Sequence, residues 1–390
     1  MQATGSLARA RPGEIMTLMT TLALIATFLL AFSITALMVP PIQRLGIRRG
    51  WVQKPGGRRA HTQPTTNIGG VAIYAGCMAA FVATIALESL DPALQRSSFE
   101  TLRVGLVLLG GSLMFAVMWL DDIWELHWSF KFGTQVVAAL IAVGPFLWDQ
   151  ARYLDANGLP TEARGILLTA FNFPFTNQVD LYAISPWLAI IATIFWIGWM
   201  SNTVNFVDGL DGLAAGVSLI AALMLALHAL RLDPPQLTIA LLPLAIAGAC
   251  GGFLIFNFPP AKIFMGGGAE FLGYMLGVSA IIGGAKLATV LLVLGVPILD
   301  VAWLIVSRTL AGRSPMQGGR DHLHLRLRDL GFSGRQIVLF YYGLSASFGL
   351  VGISGASQIA KLAALSVLAL IGAVIIGYAM WMGERRKQHT

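Results

Sequence analysis

The chain has 390 residues, of which 56% are hydrophobic and only 12% charged, and its mean hydropathy is +0.73. Soluble domains carry about twice that charged fraction, so water is excluded as the main solvent of this protein. The net charge of +7 does not indicate a nucleic-acid partner, because the basic residues are concentrated in a few segments between long apolar runs.

Apolar runs of membrane-spanning length recur along the whole chain. They are continuously apolar rather than alternating, which predicts helices and not a β-barrel. We see no linker, repeat or low-complexity tract, so residues 1–390 are predicted to form a single all-α, polytopic membrane domain of about eleven transmembrane helices. The predicted spans are Met16–Met38, Gly69–Leu87, Val104–Leu120, Phe132–Trp148, Ile184–Asn202, Gly212–Leu230, Leu237–Phe256, Phe271–Ile282, Ala288–Ile305, Gln336–Ile353 and Ala360–Met382.

The first apolar run follows two arginines and therefore looks like a signal peptide. It is too long for the apolar region of one, and it ends at Val39-Pro40-Pro41 instead of a small-residue cleavage site. We therefore predict that Met16–Met38 is a retained span.

Basic residues are concentrated in the first loop, the ninth loop and the C-terminal tail. Because cytoplasmic loops of membrane proteins carry an excess of Lys and Arg, all three segments are predicted to be cytoplasmic. An odd number of spans then places the N-terminus outside and the C-terminus in the cytoplasm. These basic residues are Arg44, Arg48, Arg49, Lys54, Arg58 and Arg59, then Arg308, Arg313, Arg320, Arg326, Arg328 and Arg335, and finally Arg385, Arg386 and Lys387.

Two adjacent acids, Asp121 and Asp122, end the third predicted span. An ionised carboxylate at the edge of the hydrocarbon is costly, so such acids usually face a cavity, a cation or a partner. Lys131 and Gln135 follow at the spacing of one helical turn, which places them on one face of the next helix. A basic residue near paired acids favours a phosphate substrate. Two solvated acids at the headgroup boundary are the alternative.

Oxygen-bearing side chains recur at the end of the fifth predicted span. Asn202, Asn205 and Asp208 are three residues apart, which on a helix places them along one side, and Asp211 follows. Amide and carboxylate oxygens are ligands that Mg²⁺ prefers. A helix end with aspartate caps is the alternative.

Two later segments add groups that suit phosphates. The segment from Asn257 to Glu270 breaks the helix with prolines and glycines and exposes backbone amides, although a flexible turn would have the same composition. The segment from Arg308 to Arg326 offers guanidinium groups and imidazoles, and its alternative is a basic loop near anionic lipid. All these segments are predicted to lie on the cytoplasmic side, so we expect cytoplasmic loops to form an active site.

In this order the segments resemble the polyprenyl-phosphate N-acetylhexosamine-1-phosphate transferases (glycosyltransferase family 4). The resemblance covers nearly the whole chain and is closest to the undecaprenyl-phosphate N-acetylglucosamine-1-phosphate transferase branch. The motifs that carry it are Pro55-Gly56-Gly57-Arg58-Arg59-Ala60-His61 with Gly69-Gly70, Asp121-Asp122 with Lys131 and Gln135, the segment from Asn202 to Gly212, Asn257 with Pro260-Ala261-Lys262-Ile263-Phe264-Met265-Gly266, and Pro297-Ile298-Leu299-Asp300 with the arginine and histidine loop.

The resemblance implies transfer of an N-acetylhexosamine-1-phosphate, with N-acetylglucosamine as the expected sugar, from a UDP-sugar to undecaprenyl phosphate. UMP would be released, and the product would serve cell-wall or surface-glycan synthesis. Mg²⁺ is the expected cofactor, with Mn²⁺ as an alternative. The expected location is the bacterial cytoplasmic (inner) membrane, in contact with membrane lipid, and a homodimer is left open.

The resemblance also implies roles for individual residues. Asp121 or Asp122 would be the base for the lipid phosphate or a covalent nucleophile, with Asp208 and His324 as further catalytic residues. The implied metal ligands are Asn202, Asn205, Asp208 and Glu270. The implied substrate-binding residues are Arg58, Arg59, His61, Lys131, Asp211, Asn257, Phe264, Arg308, His322 and Arg326, with Asn257 and Phe264 near the uracil.

The chain departs from the family pattern at three places. The family follows Met-Gly with an Asp that is a metal ligand, whereas Gly267-Gly268-Ala269-Glu270 follows Gly266 here and is one residue shorter. We hypothesise that Glu270 replaces that carboxylate; otherwise the protein is a catalytically impaired homologue that binds lipid or nucleotide. His324-Leu325-Arg326 stands where two adjacent histidines are usual, and Gln53 where an Asp is common. A transporter or flippase is the alternative from another class, and it would place acids near the bilayer midplane.

Overall fold

The structure, a computed structural model, consists mainly of long helices. It describes residues 12–53, 65–89, 91–144, 153–154, 160–161, 165–172, 178–284, 291–310, 312, 323–354 and 357–388. The helices, numbered in chain order, are α1 (Pro12–Arg49), α2 (Gly70–Leu87), α3 (Ser98–Trp124), α4 (Trp128–Val143), α5 (Leu181–Ile184), α6 (Pro186–Val207), α7 (Leu213–Leu230), α8 (Leu237–Asn257), α9 (Gly268–Ile282), α10 (Gly295–Leu310), α11 (Leu323–Asp329), α12 (Gly334–Ile353) and α13 (Gln358–Gln388).

Short strands connect some of these helices. In the described residues they form three separate antiparallel pairs of two or three residues per strand, which is too little to make a sheet-based core. The pairs are β1 (Val52–Gln53) with β2 (Thr65–Thr66), β3 (Tyr153–Leu154) with β4 (Pro160–Thr161), and β5 (Ala170–Asn172) with β6 (Gln178–Asp180).

The apolar helices confirm the predicted class of a polytopic helical membrane protein. Seven helices in the described residues are long and apolar enough to cross a membrane, namely α1, α2, α3, α6, α7, α8 and α12. Shorter apolar helices occupy Trp128–Val143, Gly268–Ile282 and Ile359–Val374. With α10, these helices correspond in order to the predicted spans. Apolar length predicts them correctly because unpaired backbone groups are not tolerated in hydrocarbon.

Helix α1 continues beyond the end of its apolar run. It passes through Pro40 and Pro41 and ends only at Arg49, followed by Gly50 with a left-handed φ of 72°. Proline inside a helix removes a backbone hydrogen bond and usually kinks or ends the helix. Here Val39 and Ile42, on either side of the pair, are buried in the main core, and this packing keeps the segment helical.

Small residues let α8 pack closely against α1. Gly248 and Gly252 are four residues apart on α8, and a Cβ atom at either one would lie within 2.3 Å of a backbone carbonyl oxygen of α1, that of Phe28 or of Phe32. Such close backbone approach is the usual way in which membrane helices associate, because lipid provides no hydrophobic drive between them.

Replacing Gly248 with valine is therefore expected to destabilise the bundle. The new side chain meets backbone that cannot move aside, so we expect a loss of about 2 kcal/mol or more, with a lower thermal unfolding midpoint in detergent. The control is Gly343→Ala in α12, where a Cβ has open space and the midpoint should stay unchanged or rise slightly. An unchanged midpoint for Gly248→Val would contradict the close α1–α8 contact.

The bundle has two ends, which we name after one residue each. Helix α3 has 27 residues, so it is about 40 Å long and can cross the hydrocarbon core. It begins at the Arg96 end, where Ser97 and Glu100 form a capping box, and finishes at the Asp122 end. The last turns of α1 lie at the Asp122 end, since Gln43 Nε2 donates to the Lys262 carbonyl at 2.7 Å.

Candidate active site

Asp121 lies in the last turn of α3 and pairs with the only lysine of the next helix. Its Oδ2 accepts a hydrogen bond from Lys131 Nζ at 3.0 Å, and its Oδ1 accepts the Leu126 N–H at 2.8 Å. The pair forms because Glu125 takes a left-handed conformation, φ 48°, and ends α3, so that α4 starts at once and turns back. Both side chains are partly exposed, so the ion pair positions the carboxylate more than it stabilises the fold.

Asp122 is held by the loop that precedes α9. Its Oδ2 accepts the backbone N–H of Gly267 at 2.7 Å, and its main-chain carbonyl accepts from Asn67 Nδ2 at 3.3 Å. Gly266 has a left-handed φ of 59°, and a Cβ there would lie 2.4 Å from Asp122 Oδ2 and 2.0 Å from the Asn67 carbonyl oxygen. Only glycine therefore allows the loop to lie against this carboxylate.

Glu270 is buried beside these acids. It lies in the first turn of α9, before the apolar run that starts at Phe271. Burial raises the pKa of its carboxyl group to about 8; the negative charges of Asp122 and Asp121 contribute in the same direction, and Lys131 opposes them. We call Asp121, Asp122, Lys131 and Glu270 the acidic cluster. A cation bound here would favour the ionised form of the buried carboxyl group, because an opposite charge nearby stabilises a carboxylate.

An amide pair joins α4 to α6 next to this cluster. Asn202 Nδ2 donates to Gln135 Oε1 at 2.9 Å, and Gln135 Nε2 donates back to Asn202 Oδ1 at 3.4 Å. Asn205 is exposed and Asp208 is buried. A three-residue step falls short of a full helical turn, so these three side chains fan over about 120°. The side of the helix on which we predicted Asn202, Asn205 and Asp208 is therefore broad, and the three side chains do not form a single row.

Asp211 and Asn257 hold the loop between α8 and α9. Asp211 Oδ2 accepts the Ala261 N–H at 2.9 Å, and Asn257 Oδ1 accepts the N–H of Gly212 at 3.0 Å. Asn257 Nδ2 also donates to the Ile263 carbonyl at 2.8 Å, and its side chain is only 2% exposed. The contacts of both side chains are thus to backbone, which fits a role in shaping the site. Contact with the uracil stays a prediction.

Replacing Asn257 with alanine tests that structural role. It removes an acceptor and a donor from two buried backbone groups, each of which costs about 1–3 kcal/mol when left unsatisfied. We expect a clearly lower thermal unfolding midpoint, with a smaller loss for Asn257→Asp, which keeps the acceptor for the Gly212 N–H. A nucleotide-binding role alone would leave the midpoint of the substrate-free protein unchanged in both variants.

Phe264 is packed inside the protein. Its side chain is 1% exposed, and its backbone N–H donates to the Thr66 carbonyl at 2.9 Å while its own carbonyl accepts the Gly69 N–H at 2.9 Å. These bonds tie the loop before α9 to the segment before α2. The predicted contact of Phe264 with a base would require the ring to leave this position.

The basic segment is only partly described. Arg308 is buried in α10, and Asp300 of the same helix accepts the Leu323 N–H at 2.6 Å, which fixes the start of α11. Arg326 is half-buried on α11. The predicted substrate-binding residues Arg58, Arg59, His61 and His322 lie outside the described residues, as does the side chain of His324.

The structure thus pairs Lys131 with Asp121 and places Glu270 where the charges of Asp121, Asp122 and Lys131 act on it. Asn202 is joined to α4 through Gln135. Sequence reasoning missed Asn67, and it assigned the backbone amides of the glycine segment to phosphate, whereas the Gly267 N–H donates to Asp122. The position of Asn67, a polar residue just before the Gly69-Gly70 pair at the start of a span, is the signal that would have found it. Among described residues no three His, Cys, Asp or Glu side chains are grouped as a metal site. Mg²⁺ often uses one or two carboxylates, with substrate phosphates and waters completing its ligands, so these residues still fit the ion.

Apolar spans with acids, an amine and amides at one end define a multi-pass membrane protein with a buried polar site. Residues 104–284 match the family model described as glycosyl transferase family 4. The chain belongs to this family, the polyprenyl-phosphate N-acetylhexosamine-1-phosphate transferases that its motifs indicated.

Several curated proteins are similar over most of their length. A decaprenyl-phosphate N-acetylglucosaminephosphotransferase of Mycolicibacterium smegmatis is 35% identical over 350 residues, 82% of this chain and 78% of the relative. The protein of the same name from Mycobacterium tuberculosis is 32% identical over 376 residues, 89% and 85% of the two chains. A phospho-N-acetylmuramoyl-pentapeptide-transferase of Desulforudis audaxviator is 30% identical over 342 residues, 84% and 95%.

Proposed function

We propose that this protein transfers N-acetylglucosamine-1-phosphate from UDP-N-acetylglucosamine to a polyprenyl phosphate, undecaprenyl phosphate in particular, and releases UMP. The observation that carries the proposal is the acidic cluster at the Asp122 end of a membrane-spanning bundle, in a chain of this family. The reacting phosphate of a polyprenyl lipid lies at the membrane surface while its tail stays in hydrocarbon. A polar site at the end of apolar helices suits both parts of such a substrate.

The reaction is a phosphoryl transfer. An oxygen of the lipid phosphate bonds to the β-phosphorus of the UDP-sugar, the bond from that phosphorus to the bridging oxygen breaks, and UMP leaves with this oxygen. Asp121 or Asp122 acts either as the base that keeps the lipid phosphate deprotonated or as a nucleophile that first forms a covalent intermediate. In both schemes Lys131 lies beside the carboxylate and offsets phosphate charge.

Mg²⁺ is the cofactor in this proposal, with Mn²⁺ as the alternative. Glu270 supplies a carboxylate within the acidic cluster, Asn202, Asn205 and Asp208 supply further oxygens from the end of α6, and these four would hold the ion. The bound ion would neutralise the pyrophosphate charge and leave the protein to position the reactants. Glu270 would have to lose its proton on metal binding, which the cation would favour because its positive charge stabilises the carboxylate.

The sugar is assigned from the relatives. The mycobacterial relatives carry N-acetylglucosamine in their names, whereas the Desulforudis relative carries the muramoyl pentapeptide. The higher identity to the mycobacterial proteins and the pattern His322-Leu323-His324-Leu325-Arg326 favour N-acetylglucosamine. Substrate contacts by Arg58, Arg59, His61, His322, His324, Arg308 and Arg326 belong to the same proposal.

The Asp122 end is proposed to face the cytoplasm of a bacterial inner membrane. Arg44, Arg48 and Arg49 lie in the last turns of α1 at this end, and Arg335 Nε donates to the Pro259 carbonyl at 2.9 Å. Concentrated basic residues mark the cytoplasmic side. With an odd number of spans, the N-terminus is then outside and the C-terminus inside.

The test is UMP release by the purified protein in detergent with UDP-N-acetylglucosamine, undecaprenyl phosphate and Mg²⁺. We expect release only with all three present, and much slower release with UDP-N-acetylmuramoyl pentapeptide. Faster release with the pentapeptide donor would reassign the sugar. A protein that binds both substrates without releasing UMP would be a non-catalytic homologue, and the proposal would be wrong. Lipid movement across vesicles without UMP would instead indicate a flippase.

A further inference from the structure

A second polar cleft lies at the Arg96 end, between α2, α3 and α8. The cleft is open to the outside and contains about 410 Å³ of empty space, part of which is open solvent, and its lining includes Phe81, Arg96, Glu100, Arg103, Thr238 and Leu242. Glu100 precedes Asp121 by 21 residues on α3, which is about 31 Å along the helix. The cleft is thus separated from the acidic cluster by the thickness of a membrane core.

Two of the charged groups in the cleft are already paired. Arg96 donates to the Glu88 carboxylate through Nη1 and to Thr84 Oγ1 through Nη2 at 2.9 Å. Glu100 accepts from Ser97 and, at 3.0 Å, from the Thr238 hydroxyl. Arg96 is thus neutralised by Glu88, whereas Glu100 is hydrogen-bonded to neutral donors and keeps its negative charge.

Arg103 differs from these groups. Its Nε and Nη2 donate to the Gly165 carbonyl at 3.2 and 3.0 Å, and its guanidinium group lies 4.1 Å from the centre of the Phe99 ring. No carboxylate within the described residues lies at ion-pair distance from it. A guanidinium has five N–H donors, and the Gly165 carbonyl takes two of them. Arg103 thus has donors available at the wall of the cleft, and its charge interacts with Glu100, which lies three residues earlier on α3 and outside ion-pair distance.

The rest of the wall is apolar. Phe81, Val104 and Leu242 line the cleft and are buried. A small hydrated anion would bond to Arg103 but would find no polar partner at these three residues. A ligand with a phosphate group and a hydrocarbon chain would satisfy both parts, because guanidinium binds phosphate oxygens in a bidentate manner and the chain covers the wall.

We propose that this cleft binds an anionic phospholipid, with the lipid phosphate on Arg103 and an acyl chain along Phe81, Val104 and Leu242. The site lies at the membrane face opposite the acidic cluster, so its occupant is a resident lipid and not the lipid acceptor of the transfer reaction. The proposal does not depend on the proposed function.

The test measures lipid binding through thermal unfolding of delipidated protein in a neutral detergent. Phosphatidylglycerol should raise the unfolding midpoint in a concentration-dependent way, and phosphatidylcholine and inorganic phosphate should not. Arg103→Gln should weaken the apparent affinity for phosphatidylglycerol at least about tenfold, because it removes a charged hydrogen-bonding group. Arg231→Gln, at an exposed arginine of the same end, is the matched control and should bind as the wild type does.

Three results would overturn the proposal. Equal shifts with phosphatidylglycerol and phosphatidylcholine would show general solvation by lipid. An equal shift with inorganic phosphate would show an anion site without a lipid component. Unchanged affinity in Arg103→Gln would place the lipid elsewhere. If that variant does not fold, Arg103→Lys keeps the charge but loses the bidentate geometry, so its affinity for phosphatidylglycerol should be lower than that of the wild type without being abolished. Wild-type affinity in Arg103→Lys would also contradict the proposal.

Discussion

Asp122→Asn is expected to lower the rate of UMP release by about a hundredfold or more, the usual cost of losing a catalytic base or an essential charge. Asparagine keeps an oxygen that can accept the Gly267 N–H, so the loop before α9 should stay in place. What is lost is the negative charge. The measurement is UMP release at saturating substrates, together with the thermal unfolding midpoint.

The control for Asp122→Asn is Glu125→Gln. Glu125 is an exposed acid three residues further along the same segment, at the end of α3. We expect it to leave the rate of UMP release within about twofold of the wild type, because the charge of an exposed side chain is screened by solvent and contributes little. Equal losses in both variants would mean that the total charge of the segment matters and that Asp122 has no specific role.

Glu270→Gln is expected to reduce turnover strongly, and most at low Mg²⁺ concentration. If Glu270 replaces the family carboxylate, its loss removes an anionic metal ligand. Even mutation of residues that only hydrogen-bond to a metal ligand lowers metal affinity by about 10–100-fold. UMP release measured over a range of Mg²⁺ concentrations should show a shift of the half-saturating concentration to higher values by at least about tenfold. Unchanged metal dependence would show that Glu270 does not compensate.

Stability separates this role from a structural one. The pKa of Glu270 is raised to about 8 by burial and by its acidic neighbours, so burying this carboxyl group costs stability above about pH 4, where the group is ionised in the unfolded chain. Glutamine removes that cost, and the unfolding midpoint should stay the same or rise. Glu270→Asp keeps a carboxylate that is one methylene shorter, and we expect it to retain part of the metal dependence. Loss of both folding and activity in Glu270→Gln would point to a packing role.

The order of the spans could be predicted from the sequence because hydrocarbon imposes one simple condition. Every backbone group must bond within its own helix, so apolar length alone marks the spans. Helix ends were less predictable. Helix α1 continues to Arg49 because Val39 and Ile42 are buried in the core. This tertiary packing outweighs the local cost of Pro40 and Pro41 to the helix.

The candidate site was predictable in its residue types and much less in its contacts. Paired acids, amides and glycines at span ends stand out in an apolar chain, because such groups are costly there. The residues that these groups contact cannot be recognised in the sequence in the same way. The resemblance predicts Asn257 as a substrate-binding residue, but its amide is hydrogen-bonded to the backbone of two other segments.

By itself the sequence determined that this is a polytopic helical membrane protein with phosphate-type chemistry at span ends, since hydropathy and costly polar residues are local properties. Only the tertiary structure decided that Glu270 lies beside Asp121 and Asp122, that Gly267 bonds Asp122, and that Arg103 faces an amphipathic cleft. These contacts join residues from different helices. The distances between these residues depend on how the helices and loops pack. Glycines such as Gly248 and Gly266 make this packing possible, because they allow neighbouring segments to approach closely.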